Sequence, residues 1–144
     1  MTVAAILKHK GYDVAAVQPT TTIAEVVRLL TDRRIGAVVV QDGTGQLLGI
    51  ISERDIVHGL AANGATTLEM TAGQLMTRAL HTASPQTTVP EAMAMMTAGR
   101  FRHLPVLEGG VLVGIVSIGD VVKERIMTQD HEVDSLKAYV AGGA

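Results

Sequence analysis

The sequence predicts an α/β (α+β) fold made of two βαββα repeats, with a short N-terminal helix and a long C-terminal helix. The first observation is a heptapeptide, GIISERD at residues 49–55, that recurs as GIVSIGD at residues 114–120. The second is a constant separation of landmark residues upstream, such as Pro19 and Pro85. The third is that both copies hold turn, capping and apolar residues in the same order. Such internal similarity is typical of a tandem duplication in which the repeat is the structural unit.

The composition favours one compact domain and excludes several classes of function. The chain has 144 residues, of which 47% are apolar and only 2% aromatic, so the core must be aliphatic. A net charge of −2 argues against a broad nucleic-acid-binding surface, and few aromatic rings are available to stack on RNA bases. The absence of cysteine excludes disulfides, thiolate catalysis and cysteine-ligated zinc. Since neither a transmembrane-length apolar run nor a signal peptide is recognisable, we expect a soluble cytoplasmic protein.

The first predicted elements are a helix and a brief strand. Thr2 is expected to cap an amphipathic helix that ends at a glycine stop, Gly11, and packs on the domain body. The apolar stretch at residues 13–17 then predicts a strand.

A core helix is predicted next in each copy. Thr22 and Glu25 form a TxxE capping box before an apolar stripe, and Thr88 and Glu91 do the same in the second copy. The methionines of the second stripe have helical spacing, which is typical of packing rather than of metal ligation.

A β-hairpin and a further helix complete each copy. Residues 35–40, IGAVVV, are apolar throughout, as expected of a strand buried on both faces. The other predicted elements are a turn at 42–45, a returning strand at 46–51 and a helix from Asp55, then strands at 104–107 and 111–116 and a helix from Asp120. The last helix carries a heptad seam, in alternating steps of four and three, at Val122, Ile126, Gln129, Val133, Leu136 and Val140. This seam leaves two roles open, namely pairing with a second chain or packing on its own domain.

The repeated heptapeptide places a glycine, a serine and an aspartate where a strand ends and a helix begins. Free amides at a helix N-terminus bind anions, and a carboxylate beside them suits a ligand with a diol and a phosphate, such as a ribose phosphate. The alternative is plain N-capping, which alone accounts for either residue. We favour a ligand because capping does not require both Ser52 and Asp55, or both Ser117 and Asp120, nor the preceding glycine.

The βαββα repeat, the paired serine-to-aspartate motifs and the segment RFRHLPV at residues 100–106 resemble a pair of cystathionine β-synthase (CBS) domains, a Bateman module. The segments SERDIV, RHLPV and SIGDVVK are similar in particular to stand-alone CBS-pair proteins of bacteria and plant organelles. The resemblance implies two repeats related by a pseudo-twofold axis. The expected limits are repeat 1 at 7–62, a linker at 63–73, repeat 2 at 74–128 and a C-terminal helical extension at 129–144.

The resemblance also implies two ligand clefts, each with a ribose-binding acid from one repeat and base-binding backbone from the other. The first cleft is expected to contain Ser117 and Asp120 for phosphate and ribose, Ala15 beside adenine, and Ile35, Gly36 and Ala37 on the strand. The second is expected to contain Ser52 and Asp55, Leu80 and His81 by the base, and Phe101, Arg102 and His103 on the strand.

The two expected clefts differ in charge. Arg54, Arg102, His81 and His103 are all expected near the second cleft, which favours a doubly charged phosphate or a pyrophosphate. The first has small neutral residues at matching positions, so we expect adenosine, AMP or no ligand there, with Lys10 as the nearest candidate cation. For Arg102, His103 and Lys10, a surface position or a salt bridge is the alternative.

Three classes of function are compared: a nucleotide sensor, a docking module and an enzyme. Neither a GxSxG nor an HExxH motif occurs and the five histidines are scattered, so catalysis is not expected. The two intact acids favour a sensor that binds AMP, ADP, ATP or NAD(H) and signals to an unidentified protein. We expect a homodimer, with no catalytic cofactor, metal, nucleic acid or membrane. A ligand-independent dimerisation or docking module is the alternative.

Overall fold

The structure, a computed structural model, describes residues 1–78 and 81–142, with the side chains in these ranges apart from 130–135 and 138–142. The first half contains α1 (Val3–Lys10), β1 (Ala16–Val17), α2 (Ile23–Arg33), β2 (Ala37–Gln41), β3 (Leu47–Ser52) and α3 (Glu53–Asn63). A 3-10 helix (Gly64–Glu69) leads into α4 (Ala72–Leu75), β4 (Thr77–Arg78), α5 (Val89–Gly99), β5 (His103–Glu108), β6 (Val111–Ser117) and α6 (Ile118–Gly142).

The architecture confirms the predicted α/β (α+β) class with a repeated helix, hairpin and helix. One sheet has the order β1-β2-β3-β4, in which β1 and β2 are parallel and the other pairs antiparallel. The second sheet is the antiparallel hairpin β5-β6, and a parallel bridge joins Ala83 to Val106 of β5. Both hairpins have a register shift at the same place, directly after Val40 and Val106. The two repeats therefore match in local irregularities as well as in order.

Each repeat has its own cluster of buried aliphatic side chains. Residues 37–40 of β2 are buried, which confirms a strand covered on both faces. The cluster of the first repeat contains Ile23, Val26, Leu30, Val38, Val40, Ile51, Ile56 and Ala72. The cluster of the second contains Val3, Ile6, Leu7, Ala83, Val89, Ala92, Met96, Leu104, Val106, Val116 and Val121. One member of the first list and three of the second come from the opposite half of the chain.

The segment that leads each repeat packs on the other repeat. Helix α1 buries Leu7 in the core of the second repeat, and α4 buries Ala72 in the core of the first. Matching β-bridges join Thr2 to Thr88 and Thr22 to Thr71. These paired contacts are what a pseudo-twofold axis between the repeats requires, and they make each core depend on both halves.

The glycine of each heptapeptide makes room for the exchanged segment. A Cβ atom added to Gly114 would lie 2.7 Å from Leu7 Cδ2. One added to Gly49 would lie 2.7 Å from both Met76 Sδ and the carbonyl oxygen of Thr77. Non-bonded carbon atoms prefer separations of about 3.5–4.0 Å, so a side chain fits only if these neighbours move. Packing between the repeats therefore accounts for both glycines without a ligand.

Replacing Gly49 by alanine is expected to destabilise the protein by about 1–3 kcal/mol, the usual cost of overpacking. The effect should exceed that of Gly114→Ala, because the carbonyl of Thr77 is fixed by strand pairing whereas the Leu7 side chain can rotate. Urea unfolding of both variants measures the difference. Gly43→Ala is the control, since an added Cβ there meets no atom within 4 Å. Equal losses for all three variants would contradict this packing explanation.

Several local predictions need correction. Thr2 occupies the N-cap position of α1, but its side chain makes no capping hydrogen bond. The strand predicted at residues 13–17 is limited to Ala16–Val17. After α4, strand β4 pairs with β3 of the first repeat, although the predicted limits assign its residues to the second. The length and the sheet of each strand depend on the strand with which its backbone pairs. A local sequence pattern does not identify that strand.

The caps and the connecting segment also differ from expectation. Thr22 and Thr88 accept the amides of Glu25 and Glu91, but the described hydrogen bonds do not include the return bond from either glutamate. The segment predicted as a linker contains the 3-10 helix, in which Thr67 is fully buried. Thr67 Oγ1 donates to a carbonyl of α3 at 2.8 Å, so this connection is part of the packed structure.

Candidate functional site

Both heptapeptides form reciprocal capping boxes at the starts of α3 and α6. Ser52 N donates to Asp55 Oδ2 at 2.8 Å, and Asp55 N donates to Ser52 Oγ at 3.4 Å. Ser117 N donates to Asp120 Oδ2 at 2.8 Å, and Asp120 N donates to Ser117 Oγ at 3.1 Å. This arrangement uses both residues in each copy, so the argument that capping does not require the pair is wrong. The case for a ligand depends instead on what surrounds the rest of each carboxylate.

The carboxylate of Asp55 meets a neutral donor from the segment that leads the second repeat. Thr77 Oγ1 donates to Asp55 Oδ1 at 2.9 Å, and Ser52 Oγ lies 3.1 Å from Asp55 Oδ2. Neither hydroxyl carries a charge. The negative charge of Asp55 is therefore solvated by dipoles rather than paired in these contacts.

The carboxylate of Asp120 meets a cation from the segment that leads the first repeat. Lys10 Nζ donates to Asp120 Oδ2 at 2.6 Å and to the carbonyl oxygen of Ile115 at 3.0 Å. Burial opposes ionisation of Asp120, but the bonds from Lys10 and Ser117 outweigh it and hold the pKa of this carboxyl below its ordinary value. Lys10, the candidate cation of the first cleft, thus forms a salt bridge with Asp120, the acid predicted to bind ribose.

His103, which the resemblance assigns to the second cleft, lies against a residue of the first. A Cβ atom added to Gly36 would lie 3.2 Å from His103 Nε2, so the imidazole covers the backbone there. Burial and the nearby Lys10 ammonium lower the pKa of His103, and the negative charges of Asp120 and Glu53 do not reverse this shift. His103 is therefore neutral at pH 7 and lies among residues predicted for the first cleft.

Four residues predicted for the second cleft lie together. Arg54, Phe101 and Arg102 line a groove of about 360 Å³, and Arg100 is a further lining residue. The ring of Phe101 stacks on His81, with centroids 5.0 Å apart. Arg54 Nη1 donates to the carbonyl oxygen of Arg100 at 3.0 Å, which uses one of the five N–H donors of its guanidinium. This group is basic and reaches from α3 of the first repeat to the end of α5 in the second.

The strand residues predicted for the first cleft are distributed along the edge of the first repeat. The Ala15 carbonyl accepts an amide of β2 at 3.0 Å. Ile35 and Gly36 line a groove of about 460 Å³ beside α2 and α3, whereas Ala37 is buried. Leu80, predicted beside the base of the second cleft, lies outside the described residues. The binding roles of these residues stay a prediction.

Sequence reasoning missed three residues of this region. Thr77 binds Asp55, yet no motif marks it, and its counterpart in the repeat alignment is Gly11. The fold places Glu53 near His103 and the carbonyl of Arg100 against Arg54. The spacing of these residues in the sequence does not indicate either contact. An arginine at the equivalent position, Arg34, is a visible signal for Arg100, and both adopt left-handed backbone after a helix. The repetition alone does not tell which groups these arginines contact.

A further groove lies away from these residues. It has a volume of about 540 Å³, and its lining, from residue 16 to residue 42, contains none of the predicted site residues. Among the described residues, no group of three or more His, Cys, Asp or Glu side chains is arranged to hold a metal ion. The described helices also include none that is long and apolar enough to cross a membrane.

Comparison with known sequences agrees with this repeat architecture. The family model of the CBS domain matches residues 3–62 and 72–126. A relative, the CBS domain-containing mitochondrial protein CBSX3 of Arabidopsis thaliana, is 37% identical over 150 residues. That alignment covers 99% of this chain and 73% of the relative.

Solved structures share the same fold. A CBS-domain containing protein from Agrobacterium tumefaciens has 45% sequence identity and a TM-score of 0.84, over 87% of this chain and 99% of that one. The structure of CBSX2 in complex with AMP has 26% identity and a TM-score of 0.67, over 81% of this chain and 90% of that one. The chain therefore belongs to the CBS domain family and carries two CBS domains in tandem.

Proposed function

We propose that the protein is a regulatory module that binds an adenine nucleotide and transmits its occupancy to a partner protein. The observation that carries this proposal is the pair of equivalent aspartates, Asp55 and Asp120, each oriented by a capping box. Each has acceptor capacity beyond its cap, because Asp120 Oδ1 accepts no hydrogen bond from the described residues and Asp55 Oδ1 accepts only Thr77. A carboxylate oxygen that can accept a further hydrogen bond suits the hydroxyl groups of a ribose.

The ligand class is supported from two sides. The related CBSX2 is known in complex with AMP, and its fold is shared by this chain. The basic group of Arg100, Arg102 and Arg54, the last of which precedes Asp55 in the sequence, supplies donors for a phosphate or a pyrophosphate. The candidate ligands are AMP, ADP, ATP and NAD(H), with the longer phosphate chains favoured by the second cleft.

Thermal unfolding with and without ligand tests the proposal. A ligand that binds only the native state must stabilise it, by about 2.7 kcal/mol at 100 times its Kd. For a chain of this length that stabilisation raises Tm by roughly 10 °C. We expect such a rise with at least one of millimolar AMP, ADP, ATP, NAD⁺ and NADH, and no comparable rise with GTP. The preparation must first be shown to be free of carried-over nucleotide, because a filled site would mask the shift.

The rank order of the ligands is informative as well. A larger shift with ATP or NADH than with AMP would place the phosphate chain near the arginines of the second cleft. The absence of any shift from a nucleotide-free preparation would contradict the sensor proposal and favour the docking module.

The docking module is the second candidate because apolar side chains are exposed on both repeats. Val57 of α3 and Val122 of α6, at matching repeat positions, are 61% and 40% exposed. Ile126 and Leu136 continue the exposed apolar surface along α6, while Val133 and Val140 of the predicted seam lie outside the described side chains. A homodimer formed through this surface is our proposal for the assembly.

Two further features are proposed with the function. A regulatory rather than catalytic role fits the CBS-domain relatives, so we assign no reaction to the chain. The cytoplasmic location expected from the sequence stays a prediction, since the relative CBSX3 is named as a mitochondrial protein.

A further inference from the structure

The two ribose-binding acids differ in the charge of the group that contacts them. Asp120 accepts a hydrogen bond from the ammonium of Lys10, whereas Asp55 accepts one from the hydroxyl of Thr77. In both cases the donor belongs to the segment that leads the opposite repeat. The pseudo-twofold symmetry therefore supplies the same kind of contact twice, once with a positive charge and once without.

Lys10 is held in this position but remains reachable. Its ammonium has two partners, the Asp120 carboxylate and the Ile115 carbonyl. The Lys10 side chain is 33% exposed, and that of Asp120 is 23% exposed. A flexible four-carbon stem lets the ammonium shift by a few ångströms toward a second anion without leaving the carboxylate.

Other groups near Asp120 do not supply this charge. His103 is neutral at pH 7, because burial lowers its pKa. The residue at the position equivalent to Arg54 is Gly119, which has no side chain. Lys10 is thus the cation that the described residues place in direct contact with Asp120.

Building on the proposed function, we infer that Lys10 makes the first cleft select a phosphorylated adenine ligand over the unphosphorylated nucleoside. The ribose hydroxyls of either ligand must bind beside the charge-assisted bond from Lys10 to Asp120 Oδ2, so this competition affects nucleoside and nucleotide alike. A nucleotide carries its own anion, which the ammonium can contact while it stays near Asp120. The lysine therefore strengthens the binding of AMP relative to that of adenosine.

The ratio of the two affinities reports the contact between the Lys10 ammonium and the phosphate, because the competition at the carboxylate is common to both ligands and cancels. Isothermal titration with AMP and with adenosine measures this ratio, and an Asp55→Ala background disables the acid of the second cleft. In this background we expect Lys10→Met to lower the AMP preference by about tenfold or more, through loss of the charge-assisted contact to the phosphate. Lys8→Met, an exposed lysine two residues earlier on α1, is the matched control and should leave the ratio unchanged.

Each other outcome has a defined meaning. The same ratio in Lys10→Met and Lys8→Met would overturn the inference. AMP binding to the unaltered protein but not to Asp55→Ala would place the ligand in the second cleft alone and would also overturn it. Failure of every adenine compound to bind the unaltered protein would instead contradict the proposed function. Because the ratio compares two ligands on one variant, partial unfolding of that variant cancels, and Lys10→Gln provides a second replacement.

Discussion

Replacing Leu7 by alanine is expected to destabilise the protein by about 2–5 kcal/mol, the range for loss of a buried leucine side chain with a residual cavity. Leu7 is 1% exposed and lies in the core cluster of the second repeat, although it belongs to the first helix of the chain. Its methyl groups occupy the space that Gly114 leaves open on β6. The cavity would therefore form between the two repeats, where two rigid elements meet.

Urea unfolding of Leu7→Ala and the unaltered protein measures this loss. Val111→Ala is the control, because Val111 is an apolar residue of the second repeat that is 64% exposed. Surface substitutions of that kind usually change stability by no more than about 0.5 kcal/mol. A loss for Leu7→Ala as small as that of the control would show that α1 does not belong to this core.

Replacing Asp55 or Asp120 by alanine is expected to weaken adenine-nucleotide binding in the affected cleft by roughly 10- to 150-fold in Kd. This range corresponds to about 1.5–3 kcal/mol, the usual size of a hydrogen bond to a charged group. The expected reason is the loss of the carboxylate that accepts the ribose hydroxyls. Isothermal titration of each single variant, and of the double variant, with AMP and ATP measures the effect.

The control must account for the second role of these aspartates. Each closes a capping box, so its removal also costs about 1 kcal/mol of helix stability. Thr88→Ala removes the cap of α5, which holds no predicted ligand residue, and should cost a similar stability without changing affinity. Unchanged affinity in both single variants and in the double variant would contradict the proposed binding mode.

The sequence predicts those parts of the fold that depend on neighbouring residues. The order of helices and hairpins follows from apolar periodicity and turn residues, so the strand at residues 35–40 is predicted to within a few positions. The element against which a helix or strand packs depends instead on residues that are distant in the sequence. Nothing in residues 3–10 shows that α1 packs on the second repeat, and nothing in Thr77 and Arg78 shows that β4 joins the first sheet.

In the candidate site, too, the local features are predictable from the sequence and the long-range contacts are not. The serine and aspartate of each heptapeptide are recognisable because the chain repeats them and because a cap is local geometry. The contact between Lys10 and Asp120 joins residues 110 positions apart, so only the folded chain reveals it. The placement of His103 over Gly36 likewise depends on how two strands from different repeats approach each other.

The exchange of leading segments also bears on how such a chain arises. A polypeptide with a single repeat lacks the segment that completes its core and can obtain it only from a second copy of itself. Its folding would then depend on protein concentration, because the missing part would arrive by association. Joining two copies in one gene replaces that association by an intramolecular contact at high effective concentration. Once joined, the two copies are free to diverge. The contact of Lys10 with Asp120 and the contact of Thr77 with Asp55 are an example of such a difference between the copies.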